Sequence, residues 1–261
     1  MYKGYDISSV QNLLTQAQWN AIAASGITFI VAKCGNGNDP IDPHFSQNIA
    51  GAKAAGLHVA CYHFVYPLPP KTGDPSRSPQ AQAQMHFNAA QGVLAAMDIE
   101  WPVVQDWSKW DCTAAQINQW GLDYLAAYSE LSGQTMMIYT FPNFAQTVGF
   151  TAEYAQYPLW IASYEPTPTI PAPWTNWVMW QTAGGTGGHL PNGAPVDTDV
   201  VMDLSLWAAG TSSVSSTNSP NGNNNPNPVS TPNSSDVPNT PVINANFFSA
   251  IWNLLSKLFG K

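Results

Sequence analysis

Val93-Leu94-Ala95-Ala96-Met97-Asp98-Ile99-Glu100 is the stretch that decides the fold. An unbroken apolar run leads directly into two acids that stand two residues apart. A strand apolar on both faces is buried on both faces, which is the pattern of a parallel sheet covered by helices. Acids at the end of such a strand are costly unless they are used. In β/α barrels, functional side chains gather at the C-terminal ends of the strands.

The same pattern repeats on either side. Residues 4–7, 27–33, 57–64, 135–140, 158–163 and 177–181 read as further strands, and residues 15–25, 43–55, 79–91 and 113–132 have helical length between them. Strands alternating with helices predict an α/β protein built of parallel β/α units, and their number favours an irregular (β/α) barrel, TIM-barrel-like, over a doubly wound sheet. Between residues 140 and 180, Pro and aromatic residues replace helical patterning, so the later connections are expected to be incomplete helices or loops. The polar residues at the strand ends are then the candidates for chemistry: Asp6, Lys33, Tyr62, His63, Asp98, Glu100, Tyr139, Tyr164 and Gln181.

Composition narrows the function. Of 261 residues only 9% are charged, against roughly 25% in an average soluble domain, while 12% are aromatic and the net charge is -8. An acidic chain has no basic footprint for phosphates, which excludes a nucleic-acid role. Flat rings in a weakly charged protein suit a neutral polar ligand such as a sugar. Cys34, Cys61 and Cys112 are odd in number and far apart in sequence, which fits neither a disulfide framework nor a Cys-x-x-Cys clamp, so they read as structural thiols.

The composition changes after Gly210. Residues 211–244 are 34 in number, 27 of them Asn, Ser, Thr or Pro, with no aromatic and a single charge at Asp236. Such a segment cannot bury enough apolar surface to offset its ordering entropy and is expected to be a disordered linker. Residues 245–261 place Phe247, Phe248, Ile251, Trp252, Leu255, Leu258 and Phe259 at helical spacing, predicting a C-terminal amphipathic helix. At this length it is too short and polar to span a bilayer. It is expected to contact a membrane surface or a partner protein through residues 246–261, with Lys257 and Lys261 toward anionic headgroups. The catalytic domain is thus expected over residues 1–210. The N-terminus lacks the apolar run and cleavage site of a signal peptide, so synthesis in the cytoplasm is expected.

Side chains at i and i+2 of a strand share a face, with Cα atoms about 6.6–7 Å apart, so Asp98 and Glu100 converge. This spacing permits the paired-carboxylate chemistry of glycosidases, in which one group protonates the leaving oxygen and the other handles positive charge at the anomeric carbon. No His-x-x-x-His or Asp/Asn-rich loop accompanies the pair, so no metal and no cofactor is expected. A solvated acidic strand end would carry the same residues without any chemistry.

Six ordered segments then carry a resemblance: Gly4-Tyr5-Asp6-Ile7-Ser8, Gly56-Leu57-His58-Val59-Ala60-Cys61-Tyr62-His63-Phe64, Met97-Asp98-Ile99-Glu100, Tyr157-Pro158-Leu159-Trp160-Ile161-Ala162-Ser163-Tyr164, Trp177-Val178-Met179-Trp180-Gln181 and Pro195-Val196-Asp197. Together they resemble glycoside hydrolase family 25, the Chalaropsis-type lysozymes that include many phage endolysins, over residues 2–208. The resemblance implies an N-acetylmuramidase that cuts the β-1,4 bond between N-acetylmuramic acid and N-acetylglucosamine of peptidoglycan. It makes Glu100 the general acid/base and Asp98 its partner, acting either as nucleophile or by steadying an oxazolinium formed by the substrate's own acetamido group. Asp6 and Asp197 match two further active-site acids, whose expected task is to orient the pair and raise the proton affinity of Glu100. Asp199 stands where Asn is common, which leaves open whether Asp197 or Asp199 faces the cleft. The resemblance also implies action at the bacterial cell wall, after release through a phage pore or as a virion component.

Tyr62, Tyr139, Tyr164, Trp160, Gln181, Lys33 and Asp199 are expected to line the substrate groove, with Lys33 pairing a cleft carboxylate. His63 alternates away from Tyr62 and is expected to be a core histidine, and Gly184-Gly185-Thr186-Gly187-Gly188 a flexible loop beside the cleft. A barrel-type chitinase would need an acid two residues before Asp98, where Ala96 stands. The competing reading is a non-catalytic module that binds cell-wall glycan.

Overall fold

The computed structural model describes residues 1–37, 41–67, 78–100 and 112–209. The expected linker at 211–244 and amphipathic helix at 245–261 lie outside the described residues. Eight strands close a barrel in chain order: β1 (Tyr2–Ile7), β2 (Ile27–Asn36), β3 (His58–Phe64), β4 (Leu94–Asp98), β5 (Met137–Thr140), β6 (Leu159–Ala162), β7 (Met179–His189) and β8 (Pro195–Val201). The helices are α1 (Gln16–Ala24), α2 (Phe45–Ala54), α3 (Pro79–Ala90), α4 (Ala114–Ser132), α5 (Pro142–Val148) and α6 (Ser205–Ala209).

Local chemistry sets the long helices. Thr15 and Gln18 cap α1 reciprocally, as Thr113 and Gln116 cap α4, satisfying backbone N–H groups that the first turn leaves free. Ser78 caps α3, with Pro79 in its first turn, and Gly133, at φ 68°, ends α4 in a left-handed conformation. Between β5 and β7 the helical elements are only the seven-residue α5 and a 3-10 turn at Ala152–Gln156, both ahead of β6.

Strand alternation sorts the side chains into two cores. Phe29, Val31, Ala60, Ala96, Met137, Trp160, Met179 and Val201 fill the barrel, while Ile30, Ala32, Cys61, Met97, Ile138 and Ile161 face the helices. Trp207 of α6 lies against Phe29, ring centroids 5.2 Å apart, and donates its indole N–H to the Val59 carbonyl at 2.8 Å. The interior is therefore apolar at the end where the parallel strands begin. Gly4 of β1 makes room for Phe29, because a Cβ there would lie 2.2 Å from the ring. Gly4→Ala is expected to cost about 1–3 kcal/mol through overpacking, read as a lowered denaturant midpoint with an unchanged m-value.

Two expectations are corrected. The sequence reading has seven parallel strands, whereas the barrel has an eighth, β8, antiparallel to both β1 and β7. Its inward residues are Asp197, Asp199 and Val201, so it carries no unbroken apolar run. The glycine run at 184–188 is part of β7 and not a loop. Small residues suit it there, since a Cβ on Gly187 would lie 2.7 Å from the Thr198 hydroxyl of β8.

Candidate active site

Because β8 runs opposite to its neighbours, its beginning lies at the end of the barrel where β1 to β7 finish. Asp6 pairs in register with Asp197, and Gly4 with Asp199. Asp197 therefore stands at the mouth and Asp199 one layer beneath it. Asp199 is 1% exposed, whereas Asp197 is half-buried and accepts a hydrogen bond from the Gly185 N–H.

A polar network ties this layer together. Gln181 donates from Nε2 to Asp6 Oδ2 at 2.7 Å, while its Oε1 accepts from the hydroxyls of Tyr139 at 3.1 Å and Tyr164 at 2.8 Å. Trp160 donates its indole N–H to Asp199 Oδ1 at 2.8 Å. Trp160 was expected in the groove but is 1% exposed, packed edge-on beneath Tyr139 and Tyr62 at ring distances of 4.7 and 6.1 Å. It supports the groove from below and offers no face to a sugar. Tyr164, 61% exposed, does offer one.

Asp98 ends β4, and Glu100 follows two residues later, half-buried. Asp98 is 4% exposed, and its Oδ1 is buried without a hydrogen-bond partner among the described residues. Burial pushes both carboxyls up. Glu100 reaches about 7, first through desolvation, opposed by the positive charge of Lys33 and assisted by the negative charge of Asp197. Desolvation and then the charge of Glu100 raise Asp98 well above the carboxylate range, again opposed by Lys33. Two such groups titrate as a coupled pair whose shifts belong to both, and in the form with the proton on Glu100, Asp98 is the carboxylate. Like-charge repulsion on Glu100 thus comes from Asp197, and burial is the larger cause.

Asp6 and Asp199 are likewise raised well above the usual range, chiefly by desolvation. Burial lowers the Lys33 ammonium, which the charges of Asp98, Asp42 and Glu100 partly restore, and its Nζ lies 5.4 Å from the Phe64 ring centroid. Asp42 was missed by the sequence reading. It is buried and accepts from the backbone N–H groups of Ser9 at 3.0 Å and His44 at 2.9 Å. Its position in a loop after β2 carries no strand-end signal. His63 is a core residue: it is fully buried, with a pKa near 3, bonded to the Tyr124 hydroxyl and the Gly37 carbonyl at 2.9 Å each.

Beside Glu100 opens a cavity of about 550 Å³ lined by Tyr139, Phe141, Asn143, Tyr164 and Glu165, among others. Phe141, Asn143 and Glu165 directly follow β5 and β6, and the strand-end rule extended by a few residues would have found them. A carboxyl pair with Asp98 buried and Glu100 half-buried and raised to about 7, beside an open groove walled by tyrosines, can deliver a proton to a neutral ligand and then stabilise the positive charge it leaves.

The profile of the family Glycosyl hydrolases family 25 matches residues 5–185. The chain is similar to Lysozyme M1 of Streptomyces globisporus, 26% identical over 198 residues, which cover 71% of this chain and 64% of that protein. The match thus spans less than two thirds of that relative. It is also similar to the N,O-diacetylmuramidase of Chalaropsis sp, 27% identical over 210 residues, covering 74% of this chain and 94% of that one. Among solved structures, a muramidase from Trichobolus zukalii matches with a TM-score of 0.66 at 26% identity, covering 79% of this chain and 99% of that chain.

Proposed function

The chain belongs to glycosyl hydrolases family 25, and from that premise we propose that it is a peptidoglycan hydrolase acting at the bacterial cell wall. Its substrate is the glycan strand, and the bond it cuts is the β-1,4 linkage between N-acetylmuramic acid and N-acetylglucosamine. The observation that carries the proposal is the Asp98/Glu100 pair, with Glu100 raised to about 7 beside an open groove.

In this reading Glu100 gives its proton to the leaving glycosidic oxygen and then, as a carboxylate, takes one from the incoming water. Asp98 offsets the charge on the anomeric carbon, by bonding to it or by steadying the ring closed by the substrate's acetamido group. Its Oδ1, without a partner among the described residues, is the acceptor either course requires. Asp6 and Gln181 hold Tyr139 and Tyr164 in place, and Asp197 tunes Glu100. A glycan-binding module without chemistry has no use for two carboxyls desolvated at such cost, and this favours catalysis.

The test is release of reducing ends from purified peptidoglycan as a function of pH. Glu100 must be protonated to act, so kcat/KM is expected to fall about tenfold per pH unit on an alkaline limb near pH 7. Asp197→Asn removes one like charge and is expected to move that limb to lower pH. No release of reducing ends between pH 4 and 8 would refute the proposal, and an unmoved limb would refute the role of Asp197.

A further inference from the structure

Cys34 of β2, Cys61 of β3 and His86 of α3 lie far apart in sequence, yet their donor atoms all fall within 4.8 Å of one another. They are 1%, 0% and 0% exposed and sit between the barrel wall and the helices, on the face opposite Lys33 and Tyr62. The glycosidase reading gives this cluster no task.

The hydrogen bonds leading into the cluster assign its protons. A carbonyl only accepts, so His63 donates from Nε2 to Gly37. His63 is fully buried with only a carbonyl and a hydroxyl on its ring nitrogens, so its Nδ1 presents a lone pair to the Tyr124 hydroxyl, which gives its single proton there. The Tyr124 oxygen then accepts from His86 Nδ1–H at 2.7 Å. This leaves a bare lone pair on His86 Nε2, which faces Cys61 Sγ at 3.5 Å. An imidazole anchored through Nδ1–H with Nε2 free is the tautomer of a metal-binding histidine whose second nitrogen is oriented from behind.

We infer that Cys34, Cys61 and His86 form a site for a divalent thiophilic cation, of which zinc is the representative, separate from the carboxylate pair. Two sulfurs and an imidazole nitrogen suit zinc and its soft neighbours and not the oxygen-seeking magnesium or calcium. Two thiolates, a neutral imidazole and a dication sum to zero charge, which a buried site requires. Tetrahedral zinc with Zn–S of about 2.3 Å and Zn–N of about 2.0–2.1 Å has an S···N edge of about 3.6 Å, close to the spacing already present. Binding breaks both S–H bonds, forms two S–metal bonds and one N–metal bond, and releases two protons to solvent without any change of oxidation state.

The experiment uses the reduced full-length chain, freed of metal, to which zinc alone is supplied either by incubation or during refolding. After dialysis one zinc per chain is expected, and X-ray absorption is expected to show two sulfur neighbours at about 2.3 Å. Cys34→Ser and Cys61→Ser are expected to lose the retained zinc, while Cys112→Ser, which alters a thiol outside the cluster, keeps it. Zinc that is not retained by either route, zinc with only nitrogen and oxygen neighbours, or retention undiminished in folded Cys34→Ser and Cys61→Ser would each overturn the assignment. Should the serine variants fail to fold, the absorption spectrum of the unaltered chain decides it.

Discussion

Replacing Glu100 by Gln is expected to abolish peptidoglycan hydrolysis, by about 10²–10⁴-fold or more, while leaving glycan binding intact. Gln keeps the shape and hydrogen-bonding capacity of a protonated Glu but has no proton to give, so the groove is unchanged and only the transfer is lost. The loss should therefore appear in kcat, with the affinity for purified glycan strands held. The same substitution carries a stability signature. A carboxyl raised from its ordinary 4.5 to about 7 binds more protons when folded, so its contribution to stability declines as pH rises from about 4.5 through about 7. Gln does not titrate, so the variant should gain stability relative to the parent at pH 8, by about 3 kcal/mol at most, and nothing at pH 4. A variant that keeps full activity removes Glu100 from the chemistry. An equal stability difference at both pH values removes the raised pKa.

Asp98→Asn is expected to lose turnover on the order of 10²-fold or more, from the removal of one preorganised charge facing a developing positive centre. The amide fills the same volume at the end of β4, but it carries no negative charge to offset the anomeric carbon. The Asp98 Oδ1 has no partner to lose among the described residues. The fold should therefore tolerate the change, and circular dichroism and the denaturant midpoint should stay near those of the parent. Activity within a few-fold of the parent would place the compensating charge elsewhere.

Much of the barrel was legible because its strands obey a simple rule. Strands buried on both faces, such as β2 and β4, show unbroken apolar runs, and capping pairs such as Thr113 and Gln116 mark where a helix begins. β8 escaped because its inner face holds Asp197 and Asp199, so the residues that make it functional erase the pattern that would reveal it as a strand. The glycines of β7 escaped for a related reason: glycine normally signals a turn, but here it permits close approach of β8. At the site, Asp98 and Glu100 were singled out by their two-residue spacing at the end of an apolar run together with the resemblance to glycoside hydrolase family 25. The depth of Trp160 was not, because strand alternation gives the face of a side chain but not the layer it occupies. The grouping of Cys34, Cys61 and His86 was also hidden, since it depends on the register of β2 against β3 and on how α3 packs over them.

Mass spectrometry of the fragments released from purified peptidoglycan identifies the bond that is cut. Glycan fragments are expected whose new reducing ends are N-acetylmuramic acid, with the stem peptides intact. New reducing ends of N-acetylglucosamine, or cleaved peptides with intact glycan strands, would contradict muramidase activity.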